Sequence, residues 1–75
     1  MEWFIYHHVD DLKHRIRNLK EKIEQYELMR EAETDDFQQG IYAGMVIILE
    51  GELWRTENEL KSVERIKAEH ENMTA

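Results

Sequence analysis

The chain has no cysteine and no proline, only three glycines, and no uninterrupted apolar run longer than Met45 to Leu49. Each lack closes off a class of answers. Without cysteine there is no disulfide framework and no thiolate zinc site, and nothing argues for an oxidising compartment. The longest apolar run falls far short of the roughly 18 residues that a membrane span needs. The start, Met1-Glu2-Trp3-Phe4-Ile5-Tyr6-His7-His8, carries an acid where an export signal carries basic charge, and its apolar stretch is short. A cytoplasmic protein with no membrane partner is the expectation.

What is present favours helices. Of 75 residues, 36% are charged, and the scarcity of helix breakers suits long helices better than a stapled or sandwich fold. A chain this short buries a small share of its surface and needs help from staples or partners to be stable. The formal net charge of −7 opposes attraction to nucleic-acid phosphates.

From Ile5 the apolar residues recur as Val9, Leu12, Ile16, Leu19, Ile23 and Tyr26, in steps of four and three. That is the heptad seam of one helix packed against another. A second seam runs through Tyr42, Val46, Leu49, Leu53, Leu60 and Val63, with Thr56 as its polar interruption. Between them the period lapses over Glu31-Ala32-Glu33-Thr34-Asp35-Asp36, and Asp35 followed by Gln38 has the form of a capping box. The expected fold is all-α: an antiparallel two-helix hairpin in a single domain, 1–75, with a helix over 5–31, a turn over 32–35, a helix over 36–68 and a frayed tail. One continuous helix in an extended coiled coil is the alternative. Folding about Thr34 pairs Tyr26 with Tyr42, Ile23 with Met45, Leu19 with Leu49, Ile16 with Leu53 and Val9 with Leu60, in arms of about 40 Å. It also sets Lys13, Arg15, Arg17, Lys20 and Lys22 alongside Glu50, Glu52, Glu57 and Glu59.

The segment Gly40-Ile41-Tyr42-Ala43-Gly44-Met45-Val46-Ile47-Ile48-Leu49 is apolar nearly all round. At 100° per residue, Gly40, Gly44, Ile47 and Gly51 lie opposite the heptad seam, flanked by Ala43, Ile48 and Trp54. Glycine inside a helix costs about 1 kcal/mol relative to alanine. Either these glycines merely loosen the helix, or they admit another helix at close range. The second reading implies a homodimer, two hairpins making a four-helix bundle through Gly40, Gly44, Ile47, Ile48, Gly51 and Trp54.

Chemical motifs are weak. His7, Asp11 and His14 share a helical face, but three ligands on an exposed turn without a fourth make no convincing metal site. The only serine, Ser62, has no histidine near it in sequence, and the glycines lie within a helix and not in a phosphate-binding loop. No catalytic residue, metal or cofactor is assigned, and the chain reads as a non-enzyme. The basic run Lys13 to Lys22, with Trp3 and Tyr6 as stacking groups, argues little for nucleic acid against the acidic total. Trp3, Phe4 and Tyr6 point in different directions on a helix, and either cap the end of a bundle or anchor a partner protein.

The stretch Asp35-Asp36-Phe37-Gln38-Gln39-Gly40-Ile41-Tyr42-Ala43-Gly44-Met45, with Leu49-Glu50-Gly51-Glu52-Leu53, resembles small helical accessory proteins encoded by phages of Gram-positive bacteria. It covers about a quarter of the chain. The resemblance implies an inhibitor or regulator that binds a larger host protein, defence nucleases included. Three functions follow: an interaction module with an unidentified protein partner, an acidic nucleic-acid mimic using Glu50, Glu57, Glu59 and Glu64 among its acids, or a structural assembly element.

Overall fold

The computed structural model describes residues 2–74; Met1 and Ala75, the ends of the expected domain, lie outside the described residues. Two helices, α1 (Glu2–Ala32) and α2 (Asp36–Thr74), pack side by side as an antiparallel hairpin with Cα extents of 58 × 14 × 14 Å. The hairpin is longer than the arms expected from sequence because both helices extend further, α1 back to Glu2 and α2 on to Thr74.

The heptad seams meet along the whole contact. Val9, Leu12 and Leu19 of α1 and Val46 and Leu49 of α2 form the buried core, and Ile5, Ile16, Ile23, Tyr26, Tyr42, Leu53, Leu60 and Val63 are half-buried around it. The Tyr26 and Tyr42 rings lie 6.2 Å apart at the turn end and fix the register expected from sequence. Thr56, the polar break in the second seam, is buried, and its hydroxyl donates to the Glu52 carbonyl one turn back at 2.8 Å. A buried hydroxyl satisfied by its own helix adds no unpaired polar group to the core.

The expected frayed tail beyond 68 is helical. The seam continues through Lys67 and His70, both half-buried, and so escapes a count of apolar residues. The Lys67 ammonium sits 4.4 Å from the centre of the Tyr6 ring, and the Tyr6 hydroxyl donates to the Glu71 carboxylate. These contacts tie the last turns of α2 to the first turns of α1. Long side chains that bury their stems and keep their charge in water can hold a seam as aliphatic ones do.

Three residues, 33–35, make the turn without any positive-φ residue. Asp35 caps α2: its carboxylate accepts from the Gln38 amide at 3.1 Å. The reciprocal half of the expected capping box comes from elsewhere. The Glu33 carboxylate accepts from the Thr34 and Asp35 amides, both at 3.1 Å, and the Gln39 side chain donates to the Glu33 carbonyl. Asp35→Ala is expected to cost about 0.5–2 kcal/mol, while Asp35→Asn, which keeps the acceptor, costs a few tenths. Thermal melts followed by circular dichroism compare the two; an equal loss in both would make the charge, and not the cap, the source.

The facing charges lie near one another without fixed contact: Arg15 and Lys22 line the same surface hollow as Glu52, and Arg15 lies beside Glu59 as well. None of Lys13, Arg15, Arg17, Lys20 and Lys22 lies within 4.0 Å of a carboxylate among the described residues; across the helices His8 Nε2 lies 3.2 Å from a Glu59 carboxylate oxygen, both side chains about half exposed. Exposed lysine and arginine side chains gain little from fixed pairing that hydration and conformational entropy do not cancel.

Candidate interaction surface

α2 carries a second heptad seam on its outer side. Phe37, Gly40, Gly44, Ile47, Gly51 and Trp54 follow one another in steps of three and four, with Ile41 and Ile48 alongside. At 100° per residue this row lies about 180° from Val46 and Leu49, so α1 cannot reach it. It stays in solvent: Phe37 is 73% exposed, Ile47 69%, Ile48 62% and Trp54 68%. Sequence reading placed Gly40, Gly44, Ile47, Ile48, Gly51 and Trp54 here but left out Phe37 and Ile41. Both fit the same heptad spacing, Phe37 opening the expected helix over 36–68 directly after the cap residues.

The glycines have no use inside the hairpin. None has a positive φ, and a Cβ built on Gly40, Gly44 or Gly51 meets nothing within 4 Å. Neither backbone conformation nor internal packing therefore calls for glycine at any of the three. Scattered exposed apolar residues are ordinary on a protein surface, but a contiguous stripe of this width is not.

The aromatic cluster lies at the other end of the hairpin. Trp3 and Phe4 are exposed and meet edge to face at 5.1 Å, Trp3 also stacks on His7 at 4.8 Å, and Tyr6 turns towards α2 and Glu71. Phe4, Ile5, His8, Val63 and Ile66 line an open apolar depression beside it. The three aromatics thus divide: Tyr6 joins the helices, and Trp3 and Phe4 face outward.

The four acids singled out for mimicry do not share one surface. Glu59 lies on the flank with Glu52, Arg15 and Arg55, whereas Glu64 lies on the other with Lys13 and Lys67. Glu57 and Glu50, seven and fourteen residues before Glu64, follow the second flank. His7, Asp11 and His14 are exposed, and among the described residues no group of three or more His, Asp or Glu is placed to hold a metal ion. Ser62 is exposed on α2. No helix is long and apolar enough to cross a membrane. Compared with known proteins, the chain finds no match: no family model, no curated protein and no solved structure is significantly similar to it.

Proposed function

We propose that the chain is a non-enzymatic protein-interaction module that works as a homodimer, four helices in all, and binds and regulates a larger protein. One observation carries the reading: a heptad-spaced apolar row on the outer side of α2, bare in the hairpin, with three glycines that the hairpin itself does not require. Helix pairing through such a row removes apolar surface from water at about 25 cal/mol per Å² and lets glycine backbones approach closely. A small two-helix unit gains from that burial what its own narrow core does not supply.

In this reading the outer row of α2 joins the copies, and Trp3 and Phe4, at the far end, are the anchors for the larger protein. Aromatic side chains dominate interface energies, and these two contribute little to the hairpin core. The likeness to phage-encoded helical proteins makes a host protein the proposed kind of target. The acidic-mimic alternative has less support, because Glu59 lies on the opposite flank from Glu50, Glu57 and Glu64 and both flanks also carry basic residues.

Sedimentation equilibrium tests the core of the proposal. The expected mass is twice the 9.1 kDa of one chain. A single-chain mass at concentrations up to the millimolar range would overturn the dimer. For the anchor, capture of a protein from host lysate by the wild-type chain and its loss with Trp3→Ala/Phe4→Ala is expected; equal capture by both would remove Trp3 and Phe4 from the partner surface.

A further inference from the structure

The two edges of the outer row of α2 differ in charge. Asp36, Ala43, Glu50 and Glu57 follow one another at intervals of seven along one edge, and Ile41, Ile48 and Arg55 along the other. Arg55 is the only basic residue between Arg30 and Lys61. Asp36 and Glu50 are exposed and Glu57 is half-buried, and none of the three lies within 4.0 Å of a lysine or arginine nitrogen among the described residues. The bases on that flank belong elsewhere, Lys13 to α1 and Lys67 to the inner seam. The row is thus an apolar strip with one acidic margin.

We infer that this strip receives an amphipathic helix of the larger protein, with lysine or arginine along one edge of its apolar face, and that this helix displaces the second copy. The inference goes beyond the dimer proposed above and rests on it in taking the outer row as an interface. A second copy answers the charge poorly. Docked antiparallel, it sets the edge of Asp36, Glu50 and Glu57 against the same edge. Docked parallel, it sets that edge against Ile41, Ile48 and Arg55, and of the three acids only Glu50 meets a base. A helix whose basic edge runs along the acidic margin gives all three a partner. Like charges across an interface disfavour it and opposite ones favour it, so the second copy is the exchangeable occupant.

The strip also has the shape for a helix. From Phe37 to Trp54 it runs about 26 Å at about 1.5 Å per residue, somewhat over two heptads. Phe37, Ile47, Ile48 and Trp54 stand exposed along it, and the space over Gly40, Gly44 and Gly51 is open to side chains from the other helix. Such knobs and gaps are how one helix seats on another. Trp3 and Phe4 lie at the far end of the hairpin and take no part in this contact.

The probe is a synthetic helical peptide of about 21 residues, three heptads, with leucine at the seam positions and lysine on both edges; a second peptide carries glutamate in place of lysine. Like charge on its own edges keeps each peptide from pairing with itself. Fluorescence anisotropy of the labelled peptides measures binding to the full chain at low and high salt. The lysine peptide is expected to bind at least about tenfold more tightly than the glutamate peptide and to weaken as salt rises. Glu50→Lys/Glu57→Lys is expected to reverse the preference, a gain for the glutamate peptide that a misfolded chain would not show, and Trp3→Ala/Phe4→Ala to leave it unchanged. Equal binding of both peptides, or an unreversed preference in the lysine variant, would overturn the basic-edged partner. Binding of neither would overturn the inference too, and the sedimentation mass of the chain alone then judges the reading beneath it: twice 9.1 kDa leaves the dimer standing, and 9.1 kDa removes it as well.

Discussion

Leu12→Ala is expected to abolish the cooperative melt of the hairpin or lower its midpoint by more than about 10 °C, the shift that a loss of about 2–5 kcal/mol produces in a domain of this size. Among the described residues Leu12 is the most deeply buried side chain, 1% exposed, in a core of five buried apolar residues. Truncation removes both its transfer energy and the packing of the atoms around it, and two helices offer few neighbours to close the gap. Native domains of this length have about 4–11 kcal/mol in all, at about 0.05–0.15 kcal/mol per residue, so one leucine represents a large fraction of the total. Leu28→Ala is the control: that residue is exposed, and the change is expected to move stability by less than about 0.5 kcal/mol. Melts at one fixed protein concentration compare them, since dimer formation links midpoint to concentration. A Leu12→Ala midpoint within about 2 °C of wild type would mean that the α1 to α2 seam is not the core.

That seam was legible in the sequence because Val9, Leu12, Leu19, Val46 and Leu49 are aliphatic at heptad positions whose spacing matches on the two arms. The turn was legible for a local reason: Asp35 sits where a helix N-terminus needs an acceptor, and its carboxylate receives the Gln38 amide. The end of α2 was not. Its last seam positions hold Lys67 and His70, which a hydrophobic pattern counts as surface although both residues are half-buried. Lys13 to Lys22 and Glu50 to Glu59 are placed to attract each other on average but gain too little to settle into fixed contacts. His8, with a shorter and stiffer side chain, meets Glu59 across the helices.

The candidate surface was legible in part, and the missing part is instructive. Gly40, Gly44 and Gly51 stand out because glycine is costly within a helix. Phe37 and Ile41 carry no such cost and give no such signal, although Phe37 is more exposed than Ile47 or Trp54.

Gly44→Leu and Gly51→Leu are expected to act in opposite directions on the hairpin and on the dimer. Within one chain nothing lies within 4 Å of a Cβ at either position, so the leucine side chain points to open space. Replacing glycine by leucine in a helix then contributes up to about 1 kcal/mol of added helix stability. Between two copies the same side chain occupies the space the other backbone needs, and overpacking of this kind costs about 1–3 kcal/mol or more at each of the two symmetry-related contacts. The second effect is larger. The sedimentation mass is expected to fall from twice 9.1 kDa to 9.1 kDa, while at dilutions where the wild type has also dissociated the variants melt higher than wild type. If instead the glycines only loosen α2, both variants would keep the dimer mass and melt higher at every concentration. The sign of the change in mass therefore separates a glycine row that serves an interface from one that serves none, with the dilute melt showing that the hairpin itself remained folded.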